Sequence, residues 1–119
     1  MYNYEIIVGN DGIRRLLDKN ANKIAVIVHP DFGGGWHSWN REHPQCLFSP
    51  EVALWILDEG KDKEVLDLQK LFGENFMEHN SKILYLEVVW VDKGEDFVIH
   101  EYDGSEYVSM KRSINWITA

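Results

Sequence analysis

The chain has 119 residues, of which 45% are hydrophobic and 13% aromatic, and a formal net charge of −8. This length accommodates one domain, residues 1–119, and this content of apolar side chains excludes disorder as the overall state. Nucleic-acid binding draws most of its affinity from Lys and Arg side chains that neutralise phosphates. The acidic charge therefore argues against nucleic-acid partners and against anionic membrane surfaces.

The single cysteine, Cys46, excludes an internal disulfide and offers no zinc-site spacing. The N-terminal residues have no basic region and no long apolar run, so they predict neither a signal peptide nor an anchor. A cytoplasmic location is the expectation, and the protein should be a monomer or a homodimer.

The first third of the chain predicts two strands separated by a helix. Tyr4–Val8 reads as a short strand, and Asp11 could cap a helix over Ile13–Asp18. Ile24–Val28 is a continuous run rich in β-branched residues, which is typical of a strand buried on both faces.

Residues 29–48 form the least regular stretch, with three consecutive glycines and two tryptophans. We predict a long irregular loop here, and loops of this length in a small domain are often functional. Ser49 and Pro50 then predict the start of a helix that ends near Gly60. A second helix is predicted over Lys63–Phe72.

The C-terminal half predicts three strands, over Lys82–Val91, Asp96–Tyr102 and Ser105–Met110, arranged as an antiparallel meander. Asp103-Gly104 between the last two is a strong hairpin signal, since a type I′ turn needs positive φ at both positions. The fold class is therefore α+β, a small single domain whose antiparallel sheet ends in a hairpin or meander, with two to three helices.

This hairpin register places Glu101 opposite Glu106, where side chains approach closely. The preferred interpretation is an exposed pair separated by solvent. The alternatives are a basic neighbour, Lys111 or Arg112, reaching over the pair, or a carboxylate pair that binds a ligand or metal.

The three glycines could present backbone N–H groups to a phosphate. However, Trp36-His37-Ser38 follows them in place of the Lys-Ser/Thr pair of a phosphate-binding loop. The simpler interpretation is that the glycines allow a tight turn or a close approach to another backbone.

Catalytic and metal sites find little support in the same stretch. Four metal-capable side chains fall close together: His29, Asp31, His37 and His43. None has the helical spacing of known zinc motifs, and the pairs Cys46 with His43 and Ser38 with His37 are too local to indicate a nucleophile. We therefore predict no cofactor, no metal site and no catalytic residue. Trp36 and Trp39 lie in this Gly-rich loop, where the alternatives are packing over the sheet and contact with a partner.

Two groups of residues resemble a known family. One is Phe32-Gly33-Gly34 with Phe48-Ser49-Pro50-Glu51, and the other runs from Leu86-Glu87-Val88 through the EYDG hairpin to Trp116. Together they resemble small uncharacterised proteins of phages, bacteria and large DNA viruses, including marseilleviruses. The resemblance covers about two thirds of the chain, and Gly35–Leu47 are extra residues relative to it. It implies a viral accessory protein and transfers no catalytic residue.

The favoured function is thus a non-enzymatic interaction protein with a protein partner, acting inside a host cell. The first alternative is a protein that binds, sequesters or hydrolyses a small ligand or nucleotide. The second is a structural component of the virion. The predicted contact residues are Gly33, Gly34, Gly35, Trp36, His37, Trp39, Glu101 and Glu106.

Overall fold

The computed structural model describes residues 3–58, 66–76 and 85–110, and the α+β class is confirmed. Short 3-10 turns cover His37–Trp39 and Pro44–Leu47. The helices are α1 (Pro50–Leu57) and α2 (Leu68–Phe72). The strands are β1 (Tyr4–Val8), β2 (Arg14–Asp18), β3 (Lys23–Val28), β4 (Glu87–Asp92), β5 (Phe97–Tyr102) and β6 (Ser105–Met110).

The main sheet contains four antiparallel strands in the order β1-β2-β3-β4. The predicted central strand is confirmed, because β3 pairs with strands on both sides and Ile24 to Val28 are all buried. Apolar residues on both faces allow β3 to pack against a separate layer on each side of the sheet.

The predicted helix over Ile13–Asp18 is wrong, since this segment is strand β2. Asp11 accepts a hydrogen bond from Ile13 N, but it stabilises a turn, in which Gly12 has a φ of 79°. Leu16 and Leu17 are both buried, on opposite faces of the sheet. A short strand covered on both faces produces an apolar run that periodicity cannot distinguish from a helix.

The predicted start of α1 is confirmed, with the Ser49 side chain accepting a hydrogen bond from Val52 N at 3.3 Å. This helix ends at Leu57, and Gly60 lies outside the described residues. Helix α2 begins at Leu68, later than predicted, because Asp67 caps it by accepting from Lys70 N. Residues 63–65 of the predicted helix lie outside the described residues.

The predicted hairpin is confirmed, with Asp103 and Gly104 both at positive φ and Glu101 opposite Glu106. The predicted meander of the last three strands is wrong. Strand β4 pairs with β3, and β5 and β6 form a separate two-stranded sheet. Strand β4 begins at Glu87, and residues 82–84 lie outside the described part of the chain.

The main sheet lies between two apolar layers. One face packs against the helices, with Ala25 and Ile27 in that cluster. The other face packs against the hairpin, with Val26 and Val28 in the second cluster. Among the described residues, no helix combines the length and apolar character needed to cross a membrane.

Candidate functional site

The stretch after β3 is packed against the tip of the β5–β6 hairpin. We call this contact the loop–hairpin junction, formed by residues 29–40 and 101–106. Three backbone hydrogen bonds join the two segments: Gly33 N donates to Asp103 O at 2.6 Å, Gly35 N to Gly104 O at 2.9 Å, and Glu106 N to His29 O at 2.8 Å. These main-chain contacts join segments that are distant in the sequence, and side-chain hydrogen bonds add to them.

The glycines are required because neither the loop nor the hairpin tip has room for a Cβ atom at these positions, where side chains and the facing backbone lie very close. A Cβ atom at Gly34 would lie 1.8 Å from His29 Nδ1, and one at Gly104 would lie 2.8 Å from Gly34 N. The interpretation of the glycines as sites of close backbone approach is therefore confirmed. The amides of Gly33 and Gly35, which a phosphate-binding loop would offer to an anion, donate to hairpin carbonyls instead.

Glu106 anchors the junction from the inner face of the hairpin. The prediction of an exposed Glu101–Glu106 pair is wrong, since Glu106 is only 1% exposed. Its carboxylate accepts hydrogen bonds from His29 N at 2.9 Å, Ser38 N at 2.8 Å and Ser38 Oγ at 2.5 Å. Within the described residues no Lys or Arg forms an ion pair with it. Lys111 and Arg112, the predicted basic neighbours, lie outside those residues.

The other carboxylate of the pair, that of Glu101, has a hydrogen-bond donor of its own. Glu101 is exposed and accepts a hydrogen bond from Trp39 Nε1 at 2.8 Å. The half-buried Trp39 ring lies beside Gly35 and Gly104, where a Cβ atom would clash with it. Separate hydrogen-bond donors thus relieve the repulsion expected between two facing carboxylates.

Trp36 belongs to the core, so its predicted role as a contact residue needs correction. Its side chain is buried, its Nε1 donates to Cys46 O at 2.8 Å, and its ring packs edge-on against Phe72 and Phe76. No partner can reach this ring unless the loop opens. The loop is therefore a folded part of the domain.

The cysteine, serine and histidine side chains that could have served in catalysis are buried or hydrogen-bonded within the fold. Cys46 is fully buried, and this burial raises the pKa of its thiol well above the usual range. The Ser38 hydroxyl is bonded to Glu106, whereas a nucleophile would be bonded to a histidine base. His29 is buried with its ring beside Gly34. In the described ranges, no three His, Cys, Asp or Glu side chains are grouped so that they could hold a metal ion.

The exposed part of the junction is aromatic. Phe32 is 63% exposed and Tyr102 is 75% exposed, and their rings meet edge to face with centroids 6.1 Å apart. Next to them on the outer face of the hairpin, His100 stacks on Tyr107, which is also exposed. These exposed aromatic residues were not predicted as contact residues from the sequence. For Tyr102, the confirmed hairpin register already indicated the position of its side chain. Since Glu101 and Glu106 share the inner face, Tyr102 must point to the other side.

Replacing Gly34 with Ala is expected to lower the free energy of unfolding by about 1–3 kcal/mol, because the new methyl group overlaps the buried His29 ring. Gly94→Ala is the control: this position has open space, and the substitution costs only the strain of its positive φ, about 1 kcal/mol. Urea denaturation of both variants measures the difference. A Gly34→Ala protein no less stable than Gly94→Ala would contradict the close approach.

Protonation of His37 should weaken the fold at mildly acidic pH. Burial lowers the pKa of its imidazole below 6.5, and the nearby Glu106 carboxylate opposes this shift only partly. The unfolded chain therefore binds the proton more readily, so the free energy of unfolding should decrease as the pH falls below about 6.5. Denaturation at pH 7.5 and 5.5 tests this, with exposed His100→Gln as the control. The pH dependence should be smaller in His37→Gln, and an unchanged dependence would refute the assignment.

Comparison of the chain with known protein families, with curated proteins and with solved structures gives no match. The resemblance to the viral and bacterial family therefore stays a prediction. The structural features that bear on function are those of the loop–hairpin junction.

Proposed function

We propose that this protein is a non-enzymatic interaction protein that binds a protein partner through the exposed aromatic side of the loop–hairpin junction. The observation that carries the proposal is the exposure of Phe32 and Tyr102 in direct contact with each other. Aromatic side chains contribute a large share of the energy at protein interfaces, and adjoining exposed aromatics are a typical feature of such surfaces.

The rigidity of the junction supports the same proposal. Phe32 precedes Gly33, whose amide is bonded to the hairpin, and Tyr102 precedes the turn that accepts this bond. Both rings are therefore presented from a backbone held by hydrogen bonds, which reduces the conformational entropy lost when a partner binds.

The small-ligand alternative receives less support. It required a pocket formed by the loop and the hairpin carboxylates, but Glu101 and Glu106 already accept hydrogen bonds from loop residues. A ligand at these carboxylates would have to displace Trp39 or the Ser38 and His29 amides. The proposed setting for partner binding is the cytoplasm of a virus-infected host cell, with the protein as a monomer or homodimer.

A capture experiment with matched variants tests the proposal. The immobilised protein is exposed to a lysate of the cells that naturally contain it, alongside Phe32→Ser/Tyr102→Ser. The control is Ile6→Ser/Val8→Ser, which changes two exposed apolar residues on β1. A specific partner should be retained by the wild-type protein and the control and lost from the aromatic variant. Equal retention on all three proteins would refute the proposed surface.

A thermal-shift screen with nucleotides and divalent metal ions tests the small-ligand alternative. Any ligand that binds only the folded state raises the apparent stability by mass action. We expect no shift. A reproducible, saturable rise in the melting temperature would favour the small-ligand function instead.

A further inference from the structure

Two carboxylates flank the exposed aromatic pair. Asp31 precedes Phe32 and Asp103 follows Tyr102, and the bond from Gly33 N to Asp103 O keeps the two segments side by side. Both aspartates are exposed, and neither side chain has an ion pair within the described ranges. We call these four residues the tip cluster: Asp31, Phe32, Tyr102 and Asp103.

The charges around the tip cluster indicate what it can bind. The cluster combines two aromatic faces with two carboxylates on a chain of net charge −8. Elsewhere on the described surface, some acidic side chains are paired with cations, as in Arg14–Glu51 and Arg15–Asp11, whereas the two tip aspartates are not. An acidic or purely apolar partner would leave the tip carboxylates unpaired in the interface, which is costly. A cationic partner would pair with them.

We propose that the tip cluster binds a basic, arginine-bearing segment of a partner protein. A guanidinium group can stack on an aromatic face and at the same time donate hydrogen bonds to a neighbouring carboxylate. Phe32 and Tyr102 would supply the faces, and Asp31 and Asp103 the acceptors. This inference rests on the proposed function, because it specifies the chemistry of the partner at the same surface. Arginine should bind better than lysine, whose ammonium group cannot stack in this way.

Fluorescence anisotropy with a short labelled peptide of alternating Gly and Arg provides the test. Peptides with lysine or with neutral citrulline in place of arginine are the probe controls. The acidic variant is Asp31→Asn/Asp103→Asn, which keeps the turn intact because Asn also tolerates positive φ at position 103. Glu42→Gln/Glu87→Gln removes the same charge from two exposed sites elsewhere and is the matched control.

The Arg peptide should bind the wild-type protein, and the citrulline peptide should not. We expect affinity to fall about tenfold in the acidic variant, about fivefold in Phe32→Ser/Tyr102→Ser, and less than about twofold in the matched control. Equal losses in the acidic variant and the matched control would mean non-specific charge attraction and would overturn the inference.

The two proposals can fail separately. If the capture experiment depends on Phe32 and Tyr102 but the Arg peptide does not bind, the partner chemistry inferred here is wrong and the proposed function stands. If neither experiment depends on these aromatic residues, both proposals fall.

Discussion

Replacing Glu106 with Gln is expected to lower the free energy of unfolding by about 1–3 kcal/mol, the usual cost of an unsatisfied buried donor. The two carboxylate oxygens accept from His29 N and from both donors of Ser38. A Gln amide has one oxygen, so its NH₂ group would face a backbone N–H. Glu106→Ala removes every acceptor and should cost about 3 kcal/mol or more.

Glu101→Gln is the matched control for this substitution. Its side chain is exposed, and the amide oxygen of Gln can still accept from Trp39 Nε1, so the stability should change by less than about 0.5 kcal/mol. Urea denaturation at neutral pH measures all three variants. Unchanged or increased stability of Glu106→Gln would support the exposed, mutually repelling pair that the sequence predicted.

Replacing Trp36 with Ala is expected to cost about 3–5 kcal/mol, the range for large aromatic residues removed from a core. The substitution leaves a cavity against Phe72 and Phe76 and removes the donor to Cys46 O. Such a loss is a large fraction of the stability of a domain of this size. Thermal and urea denaturation followed by circular dichroism measure it.

Deletion of residues 35–47 should unfold the domain for the same reason. This segment lies outside every periodic element of the sequence and is extra relative to the resembled family, which together predict that the fold can lose it. In the structure, however, Trp36, Cys46 and Leu47 are all buried core residues. Phe32→Ala changes an exposed ring elsewhere in the loop of residues 29–48; it is the control and should remain folded. A deletion protein that melts cooperatively near the wild-type temperature would show that the segment is dispensable.

Local sequence signals were sufficient wherever neighbouring residues decide the structure. The Ser49 cap and Pro50 located the start of α1, and the Asp103-Gly104 turn set the register that places Glu101 opposite Glu106. These features depend on side-chain and backbone preferences within a few residues, so one sequence suffices to predict them. The buried run of β3 was also readable, because a short, continuous apolar run rich in β-branched residues favours a strand covered on both faces.

Tertiary contacts decided the secondary structure of β2 and the burial of the residues at the loop–hairpin junction. The apolar residues of β2 fit a helix or a strand equally well, and only pairing with β1 and β3 selects the strand. Whether Glu106 is exposed depends on Ser38 and His29, which are 68 and 77 residues away in the sequence. Trp36 is core and Tyr102 is exposed because the loop packs on the hairpin tip through main-chain bonds to the glycine run. The glycine run marks a place where another backbone can approach, but every residue other than proline carries the same amide and carbonyl, so the sequence does not show which segment the run will meet.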